Sequence, residues 1–101
     1  MVHVVASVRV KKGKVAEYLE IFRDLIPAVR EEQGCVEYFP AIDIPTELPV
    51  QECDEHTVTI LETWASLESL YDHLRTAHYL AYRERVKDIV EHVSLKVLKK
   101  F

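Results

Sequence analysis

Two histidines, His73 and His78, stand five residues apart where a helical pattern breaks and restarts. Histidine has an ordinary pKa close to neutral pH, so it can take a proton from a reacting group and return it under physiological conditions. His73 closes one helical segment and His78 opens the next, so the two can converge on one cavity without sharing a helical face. Both also suit structural work, capping helix ends or bonding backbone carbonyls. Glu62 and Trp64 share one face of a strand with Ile60. A carboxylate on such a face is rarely left unpaired. It can orient His73, bind a ligand hydroxyl, or pair with Arg75 or Arg83 as part of the architecture. Trp64 reads as core, with a stacking surface for a planar ligand as the alternative. Tyr82 follows His78 by four residues and shares its helical face. With Tyr38 it offers a phenolic donor to a ligand oxygen. The candidate catalytic residues are therefore His73 and His78, and the candidate binding residues are Glu62, Trp64, Tyr38, Tyr82 and Arg83.

Other chemistries lack their parts. Cys53-x-x-His56 has metal-ligand spacing but no second pair, so the segment reads as a polar loop and no metal site is expected. The only two cysteines, Cys35 and Cys53, are too few for a disulfide framework and read as reduced thiols in a cytoplasmic protein. With only Gly13 and Gly34, no glycine-rich phosphate or dinucleotide loop can form. A net charge of -4 lacks the basic footprint of a nucleic-acid binder. No apolar run reaches the ~18–20 residues of a membrane helix, and the N-terminus enters a strand pattern with no signal segment. The 101 residues allow one domain, and 49% apolar with 30% charged residues is an ordinary globular balance.

The elements that must position these residues follow from periodicity. His3 to Val10 is a strand, with Val2, Val4, Ala6, Val8 and Val10 on one face and Val5 on the other. After the Lys11-Lys12-Gly13 turn, Val15, Leu19, Phe22, Ile26 and Val29 recur at helical steps. Pro27 is expected to kink this helix or split off its last turns, and Gly34 to end it as the C′ residue. Cys35–Ile42 and His56–Trp64 are strands, joined by a long excursion over Asp43–Glu55. Ser66 is an N-cap, and Thr76 recaps a second helical segment running to about Val90. Val93, Leu95 and Val97 mark the last strand. The order β-α-β-β-α-β is the ferredoxin-like α+β plan, with both helical regions on one face of a four-stranded antiparallel sheet. The other face, carrying Val5, Ser7, Leu61 and several threonines, is too apolar to stand open. It predicts a homodimer in which two sheets close into a barrel.

Several stretches resemble the antibiotic biosynthesis monooxygenase domain family, which includes quinol monooxygenases. They are Lys12-Gly13-Lys14, Glu32-Gln33-Gly34-Cys35-Val36-Glu37-Tyr38, Leu61-Glu62-Thr63-Trp64-Ala65-Ser66, and the run Leu70-Tyr71-Asp72-His73-Leu74-Arg75-Thr76-Ala77-His78. Taken in order they span nearly the whole chain. The resemblance implies a dimeric α+β barrel and a cofactor-independent monooxygenase acting on a small aromatic or quinol-type substrate with molecular oxygen. His73 would then abstract a proton from the phenol or quinol, in an apolar pocket with donors to steady the resulting anion. Haem-degrading relatives use an asparagine, a tryptophan and a histidine. This chain has no asparagine, and its lone tryptophan lies in a strand, which argues against haem degradation and against polyketide oxidation. The family fold also serves isomerases of small phosphorylated carbonyl compounds, in which Arg75 or Arg83 would hold the anion. A non-catalytic ligand-binding dimer stays open as well. The Asp43–Glu55 excursion exceeds the family's tight hairpin and reads as a lid or a dimer arm.

Overall fold

In the computed structural model, which describes residues 1–101, the β-branched first segment forms strand β1, Val2–Val10. Helix α1 (Val15–Arg30) buries Tyr18, Ile21, Phe22, Leu25 and Val29 on one stripe. That stripe lies over the inner residues of β1, Val4, Ala6, Val8 and Val10. Strands β2 (Cys35–Ile42) and β3 (Thr57–Trp64) follow, then helices α2 (Leu67–His73) and α3 (Ala77–Val86), and strand β4 (Val90–Leu98). The strands pair antiparallel in the order β2-β3-β1-β4, the ferredoxin-like α+β arrangement expected from the pattern. No helix is long and apolar enough to cross a membrane.

Three local expectations are corrected. Helix α1 is not split at Pro27 and continues to Arg30, which leaves only the kink of the two expected outcomes. Proline removes only its own N–H bond, its ring sits on the exposed side, and Leu25 and Val29 pin the last turns to the core. The second helical region ends at Val86 rather than near Val90, because Val90 already pairs with Val10 in the sheet. Gly34 lies beyond the helix end, since Glu31 is the C-cap, and closes the turn that leads into β2. Its φ of +88° favours glycine, and a Cβ there would stand 2.6 Å from the Cβ of Ser69. This close approach sets the end of α1 against the start of α2.

The break between α2 and α3 is built by Thr76. Its hydroxyl donates to the carbonyl of His73 at 2.8 Å and accepts the N–H of Tyr79 at 3.2 Å. Ser66 caps α2 in the same way, its Oγ accepting from the Ser69 N–H. Both caps match their sequence signals.

The helices leave β4 uncovered. Val93, Leu95 and Val97 pair with Val8, Ala6 and Val4, so they point to the helix side, yet they are 49%, 59% and 48% exposed. On the other face Val5 and Leu61 are half-buried. The 43–55 loop is tied internally, Asp43 accepting the Asp54 N–H at 2.8 Å, and presents Ile44, Leu48 and Val50 outward.

Candidate active site

Between α2–α3 and the inner side of the sheet lies a cavity of about 690 Å³. Its floor is the alternate residues of β1 and β4, and its far wall is α2 and α3. The lining is overwhelmingly apolar, and the polar exceptions are few: Glu62, His73, four tyrosines, Arg83 and Lys87. No residue of the 43–55 loop lines it, so the loop is no lid in this arrangement.

His73, at the end of α2, is 1% exposed. Its ring lies between Trp64 (centroids 4.7 Å apart), Tyr79 (4.8 Å) and Tyr38 (5.3 Å). Its Nδ1 donates to the Glu32 carboxylate, 2.9 Å from Oε2 and 3.2 Å from Oε1. The Nε2 of His78 donates to the same Oε2 at 2.6 Å. A carboxylate on Nδ1 holds a neutral imidazole in the tautomer that leaves Nε2 bare. That Nε2 bonds to nothing, and the fold contains no buried side-chain nitrogen or oxygen without a partner. Since His73 lines the cavity, its basic nitrogen opens there. Burial holds the imidazole below its usual pKa, against the bond and charge of Glu32, which raise it. His73 is therefore an uncharged base at neutral pH.

Glu62 and Trp64 do lie on the inner face of β3, as the alternation indicates. Here the structure corrects the expected partners of Glu62. The Trp64 indole N–H donates to its Oε1 at 2.9 Å, whereas Arg75 pairs with Asp72 and Arg83 has no ion pair. Glu62 does not orient His73 either; Glu32 does. Burial pushes the Glu62 carboxyl up to about 7, opposed by the Trp64 bond.

Trp64 is fully buried behind Glu62 and His73 and does not line the cavity, so it is core rather than a stacking surface. Tyr38 and Tyr82 both line the cavity. The Tyr82 hydroxyl is engaged with that of Tyr18 in α1, while the Tyr38 hydroxyl has no protein partner and opens on the cavity. Burial raises both phenols, Tyr82 to about 12, so they remain donors. Arg83 stands exposed at the rim. His78 lies outside the main cavity, in a shallow cleft of about 130 Å³ on the α1 side. The two histidines thus meet through Glu32 rather than across a common pocket.

Glu32 is the member of the candidate site that the sequence pattern missed. In the Glu31-Glu32 pair it looks like any solvated carboxylate at a helix end, and its partners are 41 and 46 residues away. The ligand atoms of Glu32, His73 and His78 lie within 4.8 Å of one another, close enough for a divalent cation to bridge. In this geometry both histidines hydrogen-bond to the Glu32 carboxylate. Cys53 and His56 form no such group: Cys53 is exposed and His56 faces Glu55 at 3.5 Å.

The model of a family described as antibiotic biosynthesis monooxygenase matches residues 1–85. The chain is 31% identical over 100 residues, 97% of its length and 96% of the relative's, to a protein of Escherichia coli (strain K12) named Probable quinol monooxygenase YgiN. A conserved protein from Methanosarcina mazei Go1 superposes with a TM-score of 0.85 at 24% identity, covering 99% of this chain and 92% of that one. Rv0793 from Mycobacterium tuberculosis gives 0.82 at 23% identity, with 99% and 94% covered.

Proposed function

The chain belongs to the antibiotic biosynthesis monooxygenase family, and from that premise we propose that it is a cofactor-independent monooxygenase of a small hydroxyaromatic, quinol-type compound with His73 as its base. One observation carries this reading: the bare Nε2 of a neutral, carboxylate-oriented histidine faces a large apolar cavity. A phenol or quinol is a poor reductant of oxygen until it loses its proton. A base near its oxygen therefore supplies the activation that a flavin or metal provides elsewhere. The apolar walls exclude water from the anion that follows, and the open hydroxyl of Tyr38 donates to it. Arg83 at the rim attracts an anionic group on the substrate. The name of the E. coli relative agrees with a quinol.

An oxygen electrode across a panel of hydroquinones and naphthohydroquinones tests the reading. Oxygen uptake with formation of an oxygenated product is expected, at a rate unchanged by a strong chelator. Turnover without oxygen uptake would assign an isomerase, and binding alone a ligand carrier. A stoichiometric flavin or metal in active protein would end cofactor independence.

The assembly we propose is a homodimer in a reducing, cytoplasmic setting. On the sheet face that carries no helix, Val5 and Leu61 are only half-buried, and Phe39 and Leu98 beside them stand exposed, which leaves more apolar surface than a chain this small can shield alone. Sedimentation equilibrium at micromolar concentration should give twice the chain mass; a single species near 11.8 kDa would overturn it.

A further inference from the structure

Glu62 is the only carboxylate that faces the cavity, and the activation step leaves it without a task. Strand β3 turns Val58, Ile60, Glu62 and Trp64 inward, so the carboxyl projects from an otherwise apolar row. Its strand neighbours are Tyr38 in β2 and Val4 in β1. Trp64 locks Oε1. The second oxygen has no protein partner and, since no buried oxygen lacks one, it opens on the cavity that His73 also faces. The other charged and titratable groups there are Tyr38 from β2, His73 and Tyr71 from α2, Tyr79, Tyr82 and Arg83 from α3, and Lys87 just after it. Glu32, behind His73, adds a repulsive charge. Burial outweighs the bond from Trp64, so at neutral pH Glu62 is divided between acid and carboxylate. A base held below its ordinary pKa and an acid held above it, on one cavity, is the pattern of a paired acid and base.

We propose that Glu62 is a second proton-transfer residue of the oxygenation, giving a proton to the peroxide formed on the substrate ring and later taking one from the ring carbon. The inference rests on the monooxygenase reading above. The protons and electrons balance as follows. His73 Nε2 takes the phenolic proton. The phenolate passes one electron to oxygen, and the radical pair joins to form a C–O–O⁻ bond at a ring carbon that still bears hydrogen. Glu62, as the acid, protonates the terminal oxygen. Its carboxylate then removes the hydrogen of that carbon, the C–H electron pair forms C=O, and the O–O bond breaks. The departing hydroxide takes the proton held by His73 and leaves as water. Both residues regain their starting states, and the sum is phenol plus oxygen to quinone plus water.

The test is Glu62→Gln, which keeps an oxygen for the Trp64 indole. Product formation should fall roughly 10²-fold. Oxygen uptake that remains should be uncoupled, with hydrogen peroxide released in place of oxygenated product. In the parent protein, product yield per oxygen should fall as pH rises through about 7, where Glu62 loses its proton. That limb should vanish from the residual activity of the variant. A Glu62→Gln protein with parental yield and pH profile would overturn the proposal, and a parental yield flat across neutral pH would overturn it even if the variant failed to fold. Failure of the underlying reading looks different, since the parent would then consume no oxygen with any hydroxyaromatic.

Discussion

Replacing His73 with alanine should lower kcat by roughly 10²–10⁴-fold, the usual worth of a positioned general base. The substitution also has a structural cost. His73 is 1% exposed, packed against Trp64, Tyr38 and Tyr79, and it satisfies one side of Glu32. Losing that hydrogen bond should cost about 1–3 kcal/mol, so rates must be taken per folded molecule. His73→Gln separates the two effects. Glutamine can still donate to Glu32, and it recovers stability while supplying no base, so it should be as inactive as alanine. A destabilised but fully active His73→Ala protein would remove His73 from the chemistry.

Glu32→Gln should be nearly as damaging, lowering kcat by roughly 10²–10⁴-fold with little change in KM. Glu32 does not line the cavity, so it acts on substrate only through His73. A carboxylate accepts the Nδ1 proton and stabilises the imidazolium that forms; an amide can present its NH₂ to Nδ1 and reverse the tautomer, leaving Nε2 protonated and unable to act as a base. The pH profile carries the diagnostic. His73 is held down first by burial and by the nearby His78, and held up by the bond and charge of Glu32, while Tyr38 and Tyr79 beside it stay neutral. Removing the Glu32 charge lowers the His73 pKa further. The acid limb of kcat should therefore move to lower pH in Glu32→Gln. Glu32→Asp, which keeps the charge but shortens its reach, should restore part of the rate. A variant with a depressed rate but an unmoved acid limb would reduce Glu32 to a structural role.

Local pattern determined the element order, the strand-β3 alternation that sends Glu62 inward, and both helix N-caps. These rest on interactions within a few residues, such as Ser66 with Ser69 or Thr76 with Tyr79. By placing Thr76 between them, the sequence also settled that His73 and His78 sit on opposite sides of a helix break. What joins them was decided in three dimensions. Glu32 reaches His73 and His78 only because Gly34 lets the end of α1 close on Ser69. That contact requires the whole β1-α1-β2-β3 layer to be assembled. The choice of Trp64 over Arg75 or Arg83 as the partner of Glu62 is likewise tertiary. Arg75, in the turn between α2 and α3, and Arg83, on α3, are both exposed, where water solvates them at less cost than reaching a buried carboxylate. Pro27 does not split α1, because burial of Leu25 and Val29 outweighs one missing hydrogen bond. The open inner row of β4 was invisible for the same reason. Alternation shows which residues share a face, but only the packed helices decide how far that face is covered.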